Sequence, residues 1–153
     1  MKKQKSGLYE KSLIRIILFL CINFIHFPLY GYYFKNIGVK YEVIKSLVEE
    51  KSDGTDPSEY VKDLSKDKAN SVASQINEKA IIISADSIIY MNGKIYEKPK
   101  SKEEAYQNLK EMSGKITYAV TGVTIKDLYK NEEICFADIA EVHLKEIDDE
   151  DIK

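Results

Sequence analysis

Residues 81–90, IIISADSIIY, constrain the fold of this chain more than any other stretch. Isoleucine fills both halves, and β-branched side chains of this kind suit a pleated, buried surface. The run is too short to cross a membrane as a helix, and MNG (91–93) follows at once as a turn signal. The stretch therefore predicts a strand, yet Asp86 stands in its middle among Ser84, Ala85 and Ser87. A carboxylate taken out of water is costly unless it is paired, hydrogen-bonded or metal-bound. Two readings stay open. SADS is a bend between two short strands, with Asp86 closing an Asx-type turn; or Asp86 is buried in company, with small neighbours that let backbone and ligand come close.

Around this stretch the chain alternates strand and helix patterns. VKYEVI (39–44) alternates as a strand does, and SLVEEKSDGT is a polar loop. In DPSEYVKDLSKDKANSVASQI, Asp56 is the N-cap, Pro57 the first helical residue and Glu59 the third, close to a capping box. SKEEAYQNLKEMSG repeats the pattern, with Ser101 as cap, Glu104 three residues on and Gly114 past the end. ITYAVTGVTI and EEICFADIAEVHL are two more strands joined by a polar link, and IDDEDIK starts a further helical turn. The order predicts a mixed α/β fold without internal repeats. At 153 residues the chain supports one domain with a real core. A net charge of −2 gives no basic field to recruit nucleic acid. Cys21 and Cys135 lie far apart, which argues against a disulfide framework or a zinc site and for a reducing compartment.

The first 33 residues differ in character from the rest. Residues 16–34 read IILFLCINFIHFPLYGYYF, behind Lys2, Lys3, Lys5, Lys11 and Arg15. Their length and flanking charge suit a transmembrane helix or a signal peptide. Against both, Asn23, His26, Pro28 and Gly31 interrupt the run, and no small-x-small cleavage site follows. The positive-inside rule would also export everything after Phe34. A membrane partner is therefore disfavoured, and a membrane-anchored α/β module is kept only as an alternative.

Several charged residues stand where apolar ones belong, or next to backbone constraints. Lys68 falls on the same helical stripe as Val61, Leu64 and Val72. It either snorkels, its stem on the core and its ammonium in water, or meets a partner inside. Glu49 and Glu50 adjoin in the polar loop, where a solvated surface is the ordinary explanation. Lys98 is held extended by Pro99, although loop lysines are common. Together, carboxylates and lysines make the kit for metal-assisted phosphoryl chemistry: carboxylates hold Mg²⁺ or Mn²⁺ and activate water, and lysines neutralise phosphate oxygens.

The ordered series ADS (85–87), KPK (98–100), A-x-x-x-L-x-x-x-SG (105–114) and VTGV (120–123), within a segment from about Phe34 to Ile152, resembles the Maf family, also known as septum formation inhibitor proteins. The resemblance implies a cytoplasmic house-cleaning nucleoside triphosphate pyrophosphatase. Such an enzyme splits its substrate between the α- and β-phosphates with a divalent cation, Mg²⁺ or Mn²⁺. On family grounds dTTP and UTP are the substrates, and a homodimer is the assembly. The implied fold is an elongated, twisted mixed sheet flanked by helices, with a central nucleotide cleft. By position, Asp86 matches the catalytic aspartate, which binds metal and activates water, and Glu49 a second metal-serving carboxylate. Lys68 and Lys98 match phosphate-facing lysines. Two departures accompany the match. The family's Ser-x-Ser-Pro-Arg-Arg loop is replaced by FLCINFIHFPLYGYY, which looks like out-of-frame translation or a diverged insertion. The family also continues past the equivalent of Lys153 into a Gly-rich segment that closes the base pocket. Glu97 stands where glycine is usual, and Ala140 where threonine is common. The expected organisation is an aberrant or extended apolar segment (1–33) and a C-terminally incomplete Maf-like domain (34–153), with impaired activity. A remnant that binds nucleotide without turnover is the second alternative.

Overall fold

The computed structural model describes residues 16–21, 36, 38, 41–48 and 56–152. In chain order the elements are β1 (Ile16–Cys21), β2 (Tyr41–Glu42), α1 (Pro57–Ala73), β3 (Ile81–Met91), β4 (Lys94–Tyr96), α2 (Lys102–Met112), β5 (Ile116–Asp127), β6 (Glu132–His143) and α3 (Asp149–Ile152). The strands form one mixed sheet in the order β2-β1-β3-β5-β6, with β4 also paired to β3. β1 runs parallel to β2 and β3, whereas β4, β5 and β6 enter antiparallel. This is the mixed α/β architecture the pattern predicts. Residues 16–21, the front of the apolar N-terminal run, form a sheet strand rather than the opening of a helix. No helix of the described residues is long and apolar enough to cross a membrane.

The helix starts follow their caps. The Asp56 carboxylate accepts from the Ser58 and Glu59 amides at 2.9 and 3.1 Å, which satisfies donors that the first turn leaves without a partner. Ser101 accepts from the Glu104 amide at 3.1 Å, and Glu104 in turn reaches the Lys100 amide at 2.7 Å. Asn92 and Gly93, with φ of 51° and 81°, close the β3–β4 hairpin in the left-handed conformation that a two-residue turn requires.

The two helices take opposite faces. α1 turns Tyr60, Val61 and Leu64 onto Ile88 and Val120, and Ala69 and Val72 onto Ala80 and Ile82. α2 lies on the other face, where Met112 joins Met91 and Tyr96. Gly122 permits the close approach of α1: a Cβ there would stand 2.1 Å from the Val61 carbonyl oxygen. The strand expected over 39–44 is only two residues long among the described residues. Past Glu42 the chain leaves β1 for α1, where Ile44 packs on the apolar cluster and the Leu47 amide donates to Ser71 Oγ at 3.0 Å.

Candidate functional site

β3 is continuous through Asp86, so the bend reading is set aside. Asp86 sits in the ladder between Cys21 of β1 and Gly122 of β5, and its side chain lies on the α1 face. There Lys68 Nζ donates to Asp86 Oδ1 at 2.6 Å. Lys68 is 1% exposed and Asp86 4%, so the lysine does not snorkel; its whole side chain is inside. The reason is local. Gly122 draws α1 down onto the sheet, and the inward stripe then delivers position 68 to the carboxylate.

The pair belongs to a buried polar seam. Ser84, two residues before Asp86 on the same face, donates its hydroxyl to the Ser65 carbonyl. Ser65 Oγ and Thr124 Oγ1 share a hydrogen bond of 2.8 Å. No buried side-chain nitrogen or oxygen among the described residues is left without a partner, as the low-dielectric interior demands. Sequence reasoning passed over Ser65, Ser84 and Thr124. Their available signal was spacing, since Ser65 shares the stripe of Lys68 and Ser84 shares the face of Asp86.

Asp86 also marks a change of partner along one edge of β3. Parallel β1 pairs with β3 through Asp86, and antiparallel β4 pairs from Ile89, which faces Tyr96. The carboxyl ends of β1 and β4 therefore converge, separated by about 10 Å of strand at 3.3 Å per residue. Ligands of α/β sheets favour such crevices outside strand carboxyl ends. Lys98 follows two residues after β4 and is exposed. The segment before it is tied to α1, because Tyr60 Oη donates to Glu97 Oε1 at 3.1 Å. Glu97, one of the departures noted above, thus makes a contact that glycine cannot.

Beneath Lys98, on the α2 face, lies a cavity of about 600 Å³. Ser87 and Thr121, whose hydroxyls lie 2.6 Å apart, and Asn108 are among its polar lining residues.

The structure thus joins Lys68 to Asp86 and sets Lys98 on the cavity beside the next strand residue. Glu49 lies outside the described residues, as does the segment aligned with the family's phosphate-gripping loop. The backbone leading toward Glu49 runs along α1, bonded to Ser71 one turn beyond Lys68. Among the described residues no three His, Cys, Asp or Glu side chains gather as a metal cluster. Chemically, the arrangement offers a buried carboxylate oxygen already held by a cation, at a crevice rimmed by a second, exposed cation.

Comparison with known proteins supplies a family. The Maf-like protein family model matches residues 32–153. The dTTP/UTP pyrophosphatase of Thermoanaerobacter sp. (strain X514) is 40% identical over 117 residues, covering 76% of this chain and 61% of that protein. The dTTP/UTP pyrophosphatase of Thermosipho melanesiensis is 41% identical over 119 residues, 78% of this chain and 62% of that protein. That of Clostridium perfringens (strain SM101 / Type A) is 34% identical, covering 74% and 60%. The chain spans about three fifths of the length of these curated relatives. Among solved structures, a nucleoside-triphosphatase / dITP/XTP pyrophosphatase from Mycobacterium abscessus aligns with a TM-score of 0.50, over 85% of this chain and 72% of that one. At 13% identity the likeness is one of fold.

Proposed function

The chain belongs to the Maf family, and from that premise we propose that it is a nucleoside triphosphate pyrophosphatase. Water attacks the α-phosphorus, the α–β anhydride bond breaks, and nucleoside monophosphate and pyrophosphate leave. The observation that carries this reading is the buried Lys68–Asp86 pair at the crevice where β1 and β4 end. The names of the relatives support dTTP and UTP as substrates.

In this reading Asp86 orients the attacking water and accepts its proton. Lys68 fixes the carboxylate and gives up part of its hydrogen bonding to an incoming phosphate oxygen. Lys98 meets the outer phosphates, whose charge a lysine neutralises as a compact point charge. A divalent cation, Mg²⁺ or Mn²⁺, fits the donors by type, because Mg²⁺ is held by one or two carboxylates together with substrate phosphates. Asp86 and Glu49 would hold it, and it would supply charge stabilisation at the phosphoryl oxygens. A cytoplasmic location, a homodimer and a link to septum formation rest on the family resemblance alone and are part of the same proposal.

The test is pyrophosphate release from UTP and dTTP, with Mg²⁺ or Mn²⁺, by the chain and by Asp86→Asn. Turnover by the first, reduced at least about a hundredfold in the second, is the expected result, with circular dichroism confirming that both are folded. UTP binding without turnover in either protein would overturn the enzymatic reading and leave a nucleotide-binding relative.

A further inference from the structure

We propose that the cavity beneath Lys98 is the subsite for the base of a uracil-type nucleotide, with the Ser87–Thr121 hydroxyl pair and Asn108 as its specificity residues. The inference rests on the pyrophosphatase reading and says which part of the substrate lies on which side of the sheet. The cavity, about 600 Å³, lies within the roughly 300–1,000 Å³ of small-molecule sites. Its walls include Ile89, Leu109 and Met112, flat apolar surface of the kind a base covers. It is continuous with the phosphate end, because Lys98 lines it and Ser87 follows Asp86 directly in β3.

Hydrogen-bonding capacity selects the base. Two hydroxyls 2.6 Å apart spend one proton on each other, so the Ser87–Thr121 pair has one O–H left to donate. Asn108 carries one acceptor oxygen and a donor NH₂. The set can present donor, acceptor, donor. Uracil and thymine carry the complementary acceptor, donor, acceptor at O2, N3–H and O4. Cytosine replaces O4 with an amine and N3–H with a bare nitrogen, which leaves polar groups of the site unmatched. Such mismatches discriminate more strongly than a change in apolar contact does.

The experiment is calorimetric titration with UTP, CTP and inorganic tripolyphosphate, in Mg²⁺, of the full chain and of Asn108→Leu and Thr121→Val. The chain should bind UTP about tenfold or more tighter than CTP. Each variant should weaken UTP binding by about tenfold, the size of one lost hydrogen bond in a partly buried site. Each should also level UTP with CTP and leave tripolyphosphate unchanged. UTP affinity unaltered in both variants, or lost in parallel with tripolyphosphate, would overturn the subsite while the pyrophosphatase reading stands. Failure of the parent chain to bind either UTP or tripolyphosphate would remove that reading, and this inference with it.

Discussion

On the α1 face of the sheet, Ser65, Lys68, Ser84, Asp86 and Thr124 are buried together, whereas on the α2 face Met91, Tyr96 and Met112 form an apolar cluster beside an open cavity. Both faces belong to the same strands, alternating residue by residue along β3 and β5. The polar face is closed and fully hydrogen-bonded, and the apolar face leaves room. A buried ion pair is weak evidence for stability, because desolvation offsets most of the attraction between the charges. Apolar packing above and below the pair, by Ile82 and Ala69 on one side and by Ile88 and Val61 on the other, therefore holds α1 down. The contrast separates a face that fixes the position of a reactive group from a face with space for a ligand.

The harshest way to break this contrast is to remove half of the pair. Lys68→Met leaves the Asp86 carboxylate in an apolar interior and should cost about 3–5 kcal/mol in chemical denaturation. Replacing both partners, as Lys68→Met with Asp86→Leu, should recover most of that loss. A single variant as stable as the parent would mean that the α1 face is wet in solution.

A milder test leaves every charge in place and lifts the helix instead. Gly122→Ala sets a methyl group against the Val61 carbonyl, a backbone atom that cannot swing away. About 1–3 kcal/mol of overpacking is expected, visible as a lower melting temperature. An unchanged melt would show that α1 sits farther from β5 than described.

The smallest effect sharpens the contrast between buried and surface charge on the same side of the sheet. Glu133 meets Lys126 at 2.7 Å and Lys66 at 3.3 Å, at a quarter exposed. The Lys126 hydrogen bond, helped by Lys66, holds its carboxyl below the ordinary value of 4.5. A depressed carboxyl contributes stability above its unfolded pKa and loses it as pH falls through the folded value. Glu133→Gln should therefore cost less than about 1 kcal/mol at pH 7. The deficit should shrink as pH falls below 4.5, and urea midpoints measured across pH 3–7 would check both statements.

The parts of this fold legible in sequence are those decided locally. Asp56 with Pro57, Ser101 with Glu104, and Asn92 with Gly93 each settle a cap or turn within a few residues, and each stands where the pattern placed it. The burial of Asp86 and Lys68 was half legible. Each is conspicuous as a charge on an apolar face, but nothing local says that a helix residue and a strand residue eighteen positions apart will meet. Gly122 carries no turn signal, since its role is defined by a helix passing above it. The hydroxyls of Ser65, Ser84 and Thr124 are ordinary in either a surface or a core strand, and only the packed face distinguishes the two. The short β2 has the same cause in reverse: alternation predicted more strand, and packing of Ile44 on α1 ended it.

The position of Asp86 in the ladder has a consequence for misfolding. Side chains alternate with a period of two, so a one-residue slip of β3 against β5 would swing Asp86 to the opposite face. Ala85 or Ser87 would then lie under α1, and Lys68 would be enclosed with no carboxylate to answer it. Isoleucine-rich strands are poor at resisting such slips, since one isoleucine in place of another is nearly invisible to a packed surface. A single charged pair makes the wrong alignment costly and the right one distinct. In this chain the residues set for chemistry thus double as the index mark by which β3 finds its place.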